Sequence, residues 1–129
     1  MNKIDFIKGI FEKYNLIADE DIFKLKHGSR VTPIITKTGA QKIATAEGFN
    51  YTFDVIRCEP DYCAVKCSIL KDGEVLATSF GSAEGANVRN AQKYYLEMSE
   101  KRAKVRAILI AIDAHGYLYG EEEADDFKR

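Results

Sequence analysis

The stretch from Phe49 to Phe80 alternates apolar and polar side chains in three runs that turn residues separate. The runs read FNYTFDVIRC, YCAVKCSIL and EVLATSF. Glu59-Pro60-Asp61 follows the first run, and KDGE, with its Asp-Gly pair, follows the second. A period of two indicates β-strands, and Asp-Gly is a strong hairpin signal. The sequence therefore predicts a three-stranded antiparallel meander.

One face of this predicted sheet should be covered. In the middle run, one set of alternate positions is apolar and consists of Cys63, Val65, Cys67 and Ile69. The positions between them, which face the other way, include Tyr62, Lys66 and Ser68. Antiparallel sheets of this kind pack the apolar face against another element and expose the other to solvent.

Helical spacing of apolar residues flanks the strand region on both sides. Residues 4–14 predict an amphipathic helix. Residues 90–115 contain neither proline nor glycine and predict one long helix that Gly116 ends. The acidic residues 121–129 follow as a tail.

Between the first helix and the strands, the signals are local. Residues 15–36 contain Gly28 and Pro33 and predict a loop with at most one edge strand. Residues 36–48 predict a short helix that Thr36 or Thr38 caps and Gly48 ends. The predicted fold is α+β, with short helices, a three-stranded antiparallel β-meander and a long C-terminal helix packed across the sheet. Residues 1–120 form its single domain.

Composition limits the class of protein. The chain has 129 residues, 46% hydrophobic and 30% charged, with a formal net charge of −1. These values predict one soluble globular domain. The chain has no apolar run of membrane-spanning length, and its start lacks the continuous apolar stretch of a signal peptide. We expect a cytoplasmic protein that does not bind membranes.

Three cysteines, Cys58, Cys63 and Cys67, stand in a chain with only two histidines, His27 and His115. An odd number without a signal peptide predicts reduced thiols. We expect no metal, no cofactor and no catalytic residue, because the sequence contains no nucleotide-binding glycine loop of the Walker type and no Ser/His/Asp arrangement.

Positive charge is concentrated in two segments. Residues 89–106 hold six basic residues against Glu97 and Glu100, whereas residues 121–129 hold five acids and two bases. Residues 22–46 hold five basic residues and no acid, namely Lys24, Lys26, Arg30, Lys37 and Lys42. The near-neutral total therefore conceals basic segments that an acidic end balances.

Arg102 and Arg106 lie four residues apart between two apolar stripes of the last predicted helix, with Lys101 at the margin of its polar face. Two hypotheses remain open. The arginines pair with acids such as Asp54 or Asp113 and fasten the helix to the sheet. Alternatively, they bind phosphates in a groove whose other wall comes from the five basic residues of segment 22–46. Among the aromatic residues, Tyr62 is the best exposed candidate for stacking with bases.

The order of elements and one motif resemble single-strand annealing proteins, of the phage essential-recombination-function type and the eukaryotic strand-annealing mediator type. The resemblance runs from about Thr32 to Gly116. TSFGSAEGANVRNA resembles the family's Gly/Ser-rich connection, and MSEKRAKVRAIL resembles its helix motif through Glu100, Arg102, Ala103, Arg106 and Ala107. ITKTGAQKIATAEGF looks like the family's first helix.

The resemblance implies ATP-independent binding of single-stranded DNA, annealing of complementary strands and assembly into rings or filaments. A recombination protein of phage or host is a possible partner. Three alternatives stay open: a phage-encoded protein-binding module or inhibitor that keeps this fold, a small enzyme that uses Cys63 or Cys67, and a structural subunit whose basic segments contact only other subunits.

Overall fold

The computed structural model of the protein describes residues 3–84 and 95–121, apart from the side chain of His27. In that part of the chain, three helices and two three-stranded sheets form an α+β fold, which confirms the predicted class. The helices are α1 (Lys3–Tyr14), α2 (Lys37–Glu47) and α3 (Tyr95–Ala111). The strands are β1 (Ile22–His27), β2 (Arg30–Ile35), β3 (Asn50–Glu59), β4 (Tyr62–Lys71), β5 (Glu74–Glu84) and β6 (Tyr119–Gly120).

A first sheet, of strand order β1-β2-β6, forms where the sequence predicted a loop. β1 and β2 are an antiparallel hairpin, and β6 joins β2 in parallel. Ile34 and Ile35 are both fully buried, so β2 lacks the alternation of a half-exposed strand. β6 has only two residues and gives no pattern. The prediction of a single sheet is therefore wrong.

The second sheet, of strand order β3-β4-β5, is antiparallel throughout. The alternation predicted for the middle run is confirmed, because Cys63, Val65, Cys67 and Ile69 of β4 are all buried. α3 covers this face and lies across β4 and β5, with little contact to β3. The opposite face carries Lys66, whose neighbours across the strands are Asp54 and Phe80.

Gly81 of β5 allows α3 to approach closely. A Cβ atom built on Gly81 would lie 2.5 Å from the backbone nitrogen of Ala103 and would also overlap the carbonyl oxygen of Ser99. The Ser99 hydroxyl lies 3.0 Å from the Cys63 carbonyl oxygen on the neighbouring strand. The first half of α3 is therefore fixed to both β4 and β5.

α3 has 17 residues and is shorter than the helix predicted over residues 90–115. Residues 90–94 lie outside the described part of the chain, and the helix ends before Gly116. The last residue of α3 is Ala111. The helix does not continue because Asp113 adopts a left-handed φ of 58° and the Ala114 N–H donates to the Leu109 carbonyl at 2.8 Å. Aspartate tolerates this conformation better than most residues.

α2 begins and ends as predicted. The Thr36 hydroxyl oxygen accepts a hydrogen bond from the Gly39 N–H at 3.0 Å, and Gly48 ends the helix with φ 71°. Ile43 and Ala44 on its inner side are buried in the main core. α2 is thereby held with its polar side outward.

Two of the three cysteines form a disulfide. Cys58 lies opposite Cys63 in the β3–β4 pair, and their sulfur atoms are bonded. The prediction of reduced thiols is wrong for these two, because strand register rather than sequence spacing makes them neighbours. Cys67 is free and buried, and burial raises the pKa of its thiol to about 11.

Candidate nucleic-acid interface

Arg102 and Arg106 extend from α3 to the backbone of β5. Nη1 of Arg102 donates to the Ser82 carbonyl oxygen at 2.6 Å, and Nη1 of Arg106 donates to the Phe80 carbonyl oxygen at 2.9 Å. Among the residues that the structure describes, β5 has a neighbouring strand on one side only, and alternate carbonyls of such an edge strand point away from that neighbour. Both arginines therefore fasten α3 along this edge.

One hypothesis named Asp54 as an example of an acid that pairs with these arginines beneath the sheet, but Asp54 is not placed to do so. It lies opposite Lys66, on the sheet face that α3 does not cover. Asp113 is exposed beyond the end of α3. The arginines thus fasten α3 through backbone carbonyl groups and not through these two acids. Because every residue has a carbonyl group, the amino-acid sequence does not indicate such partners.

Lys104 lies on the flank of α3 opposite Arg102 and Arg106, where it contacts both α2 and β3. Its Nζ donates to Gln41 Oε1 of α2 at 2.8 Å and lies 3.8 Å from the ring centroid of Tyr51 on β3. The Tyr51 and Phe53 rings form an edge-to-face pair 5.5 Å apart. Lys104 is not among the residues that the sequence singled out, because its partners are distant in sequence.

An open cleft of about 730 Å³ runs along the outer side of α2. Lys37 and Lys42, two of the predicted residues, line it together with Gln41, so the cleft adjoins the Lys104 contact. The remaining lining residues are Tyr14, Asn15, Thr38, Thr45 and Ala46. We call the continuous area of Lys37, Gln41, Lys104, Tyr51 and Phe53 the α2–β3 surface.

Lys42 forms an ion pair with a buried acid, Asp21. Its Nζ lies 2.7 Å from Oδ2 of Asp21, which also accepts the Ile17 N–H at 2.8 Å. Burial alone would raise the pKa of Asp21, but the hydrogen bonds from Lys42 and Ile17 outweigh burial and lower it. Lys42 therefore holds α2 in place more than it offers charge to a ligand.

Glu47 at the end of α2 is the centre of a second polar group. It accepts from the Tyr14 hydroxyl at 2.6 Å, and its oxygens lie 3.2 Å from Lys13 Nζ and 3.4 Å from Lys71 Nζ. The hydrogen bond from Tyr14, followed by that from Lys13, lowers the pKa of Glu47 to about 2. These contacts join α2 to α1 and to the end of β4.

The other predicted residues lie apart from the α2–β3 surface. Lys24, Lys26 and Arg30 are exposed on the β1–β2 hairpin of the first sheet, and Lys101 is half-buried on α3. Tyr62 lies between Glu59 and Glu84 on neighbouring strands, and its ring lies 5.6 Å from the Arg57 guanidinium. Two flanking carboxylates make the neighbourhood of Tyr62 unfavourable for a phosphate backbone.

Neither cysteine of the enzyme alternative is arranged as a nucleophile. Cys63 is in the disulfide, and the raised pKa of Cys67 keeps its thiol protonated at neutral pH. Among residues 3–84 and 95–121, no three histidine, cysteine, aspartate or glutamate side chains cluster as metal ligands would. Within the same ranges, no helix has the length and apolarity needed to cross a bilayer.

Compared with models of known protein families and with curated proteins, the chain matches none.

Proposed function

We propose that this protein binds single-stranded DNA without ATP and anneals complementary strands. The observation that carries the proposal is the contact of Lys104 with both Gln41 and Tyr51, which joins a lysine-bearing cleft to a pair of aromatic rings. The resemblance to annealing proteins supports it, as does the packing of α3 across β4 and β5, which fits the β-β-β-α arrangement of that family.

Each part of the α2–β3 surface suits one part of a single strand. Lys37 and Lys104 would contact phosphates, which gives binding that is independent of base sequence and sensitive to salt. Tyr51, 43% exposed, would stack with a base. In the proposal, Arg102 and Arg106 position α3, and a ring or filament of copies aligns many short surfaces along one strand.

Binding is tested by fluorescence anisotropy with a labelled oligo-dT across a salt series. Replacing Lys37 and Lys104 by glutamine removes two phosphate contacts, so the slope of log K against log salt should become shallower by about 1.4. The Tyr51→Leu variant should weaken binding and leave the salt slope unchanged. The matched control is Lys3→Gln with Lys8→Gln, two exposed lysines of α1, which should bind as the unmodified protein does.

Annealing is measured as the rate at which two labelled complementary strands pair in the absence of nucleotide. The Lys37→Gln/Lys104→Gln variant should slow this rate, and the α1 control should not. An unmodified chain that fails to retain single-stranded DNA at low salt rejects the proposal. Equal binding by both double variants would show that the strand does not bind at the α2–β3 surface.

A second candidate function, a protein-binding module, is favoured by the edge of β3. In the described part of the chain, β3 has a neighbouring strand on one side only, and its Val55 and Ile56 are 55% and 58% exposed. An open apolar edge can accept a strand from a partner, such as a recombination protein of phage or host. Binding of single-stranded DNA by the purified chain separates the two candidates.

A further inference from the structure

The Cys58–Cys63 disulfide joins an exposed residue to a buried one. Cys58 near the end of β3 is exposed, whereas Cys63 at the start of β4 is 1% exposed. The two residues lie directly opposite each other, so their side chains point to the same face of the sheet. α3 lies across β4 and β5 on that face and has little contact with β3. A reagent in solution therefore reaches the disulfide through the sulfur of Cys58.

Pairing of β3 with β4 holds the two cysteines together even without the bond. The strand pairs continue on both sides of the cysteines, from Asn50 opposite Leu70 to Glu59 opposite Tyr62. The cysteines are five positions apart in sequence. A loop this short is already closed by the hairpin, so the disulfide adds little to the constraint on the chain. We therefore expect the bond to open and close without unfolding of the sheet.

Cys63 connects the disulfide to the beginning of α3. Its carbonyl oxygen lies 3.0 Å from the hydroxyl oxygen of Ser99, which is fully buried. The same hydroxyl lies 2.7 Å from the carbonyl oxygen of Tyr95, the first residue of α3. On its other side, Cys63 pairs with Ala83 of β5. A change at the sulfur of Cys63 is therefore passed to the first turns of α3 through one buried hydroxyl group.

The third cysteine is separate from this pair. Cys67 is four residues further along β4, which at about 3.3 Å per residue places it roughly 13 Å from Cys63, beyond the reach of a disulfide. Cys67 is also buried, and burial raises the pKa of its thiol to about 11. At neutral pH it remains a protonated thiol that does not exchange with the pair.

We propose that the Cys58–Cys63 disulfide is a reversible modification site for small thiols, in which Cys58 takes up the thiol, Cys63 resolves it, and opening loosens the first turns of α3. The attacking thiolate bonds to Sγ of Cys58, the disulfide bond breaks, and its electron pair stays on Sγ of Cys63, which takes a proton from water. This inference goes beyond the proposed function and does not depend on it.

The mixed disulfide on Cys58 has two fates. Cys63, as a thiolate, attacks Sγ of Cys58, expels the small thiol and closes the original bond. Alternatively, a second small thiolate attacks the sulfur of the bound thiol and releases Cys58 as a thiol. In that case two small thiols become one disulfide, and the two cysteines gain two electrons and two protons. An exposed cysteine beside a resolving cysteine is the arrangement typical of redox-responsive sites.

The first experiment labels the unmodified chain under native conditions. Without reductant, iodoacetamide should modify none of the three cysteines. With dithiothreitol, Cys58 should react about tenfold faster than Cys63 or Cys67, because its thiol is exposed. Peptide mapping by mass spectrometry identifies the labelled cysteine, and circular dichroism establishes that the fold is retained.

The second experiment compares Cys63→Ala with Cys58→Ala, which leave one thiol of the pair each. With oxidised glutathione, Cys63→Ala should accumulate a mixed disulfide on Cys58, because the resolving thiol is absent. Cys58→Ala should take up about tenfold less glutathione, because Cys63 is buried. The reduced unmodified chain should return to its internal disulfide and retain no glutathione. Intact mass distinguishes the three results.

The third experiment measures amide hydrogen exchange along α3. Reduction of the unmodified chain should speed exchange at Leu96–Ser99 by about threefold and leave α2 unchanged. The Cys58→Ala/Cys63→Ala variant should exchange as the reduced chain does and should not respond to dithiothreitol. It is the matched control, because it lacks the bond without any reductant.

Three results would overturn the inference. Dithiothreitol could open the bond only in denaturant, which would make the disulfide a structural cross-link alone. Cys58 and Cys63 could take up glutathione equally, which would remove their separate roles. Exchange along α3 could be the same in the oxidised and reduced chains, which would remove the connection through Ser99. None of these results concerns binding of oligo-dT, so the proposed function is tested separately.

Discussion

The two flanks of α3 are held by different kinds of contact. On the β5 flank, α3 packs closely over Gly81, and Arg102 and Arg106 donate to backbone carbonyls. On the flank toward α2 and β3, Lys104 contacts the side-chain amide of Gln41 and the ring of Tyr51, and β3 is largely exposed. The difference teaches that close packing and backbone hydrogen bonds close one flank, whereas the other leaves polar and aromatic side chains at the surface.

The elements around the second flank are joined by charged pairs. Glu47 joins α2 to α1 and β4, and Asp21 binds Lys42 of α2. Close packing does not depend on protonation, whereas carboxylate contacts do. Steric changes should therefore damage the β5 flank most, and acid should loosen the α2 side first.

The largest effect is expected from Gly81→Val. The added side chain would overlap the backbone of α3 at Ser99 and Ala103, so α3 would have to move away from β5 and lose part of the packing between them. We expect a loss of about 3 kcal/mol in the free energy of unfolding, at the upper end of the usual range for overpacking. The midpoint of urea unfolding measures it.

Gly9→Ala is the control for this substitution. Gly9 lies in α1, and a Cβ atom there would meet no other atom within 4 Å. Alanine favours a helix over glycine, so the control should gain about 0.5 to 1 kcal/mol. A Gly81→Val protein as stable as the control would show that α3 does not press on β5.

Acid should act on the α2 side through Glu47. Its pKa is lowered from 4.5 to about 2, so the stability it contributes is fully present above pH 4.5 and is lost as the pH falls toward 2. The exposed fractions of the Lys13 and Lys71 side chains are 65% and 41%. Solvent therefore screens these pairs, and we expect about 2 kcal/mol rather than the full value of the shift.

Urea unfolding at pH 6, 4 and 2.5 measures this contribution. Glu47→Gln should be less stable than the unmodified protein at pH 6 and should lose less stability on acidification. Asp21, whose pKa is also lowered, adds to the loss in both proteins. Parallel pH curves for the two proteins would be incompatible with a structural role for Glu47.

Local signals in the sequence located the elements that these contacts join. The cap at Thr36, the end of α2 at Gly48 and the two faces of β4 were predictable, because each depends on residues a few positions apart. The position of Arg102 and Arg106 between two apolar stripes also indicated that they are not simply solvated. These signals act within one turn of helix or one strand.

The contacts between segments distant in sequence were not predictable. Glu121 reaches Lys37 because two residues of β6 pair with β2, and a two-residue strand has no recognisable pattern. The partners of the arginines are backbone carbonyls, which every residue possesses. The partners of Lys104 lie on α2 and β3, so the pattern of α3 alone does not indicate them. Each of these contacts joins segments distant in sequence.

A matched pair of substitutions on α3 compares the flanks directly, with the smallest expected effects. Arg102→Met and Lys104→Met remove the same charge from the same helix. Losing the charged hydrogen bond to Ser82 should cost about 2 kcal/mol of folding free energy, whereas losing the ring contact of Lys104 should cost less than about 1 kcal/mol. Affinity for oligo-dT should fall in the opposite order, because only Lys104 belongs to the α2–β3 surface. If Arg102→Met weakens binding more than Lys104→Met while both proteins stay folded, the strand lies on the β5 flank.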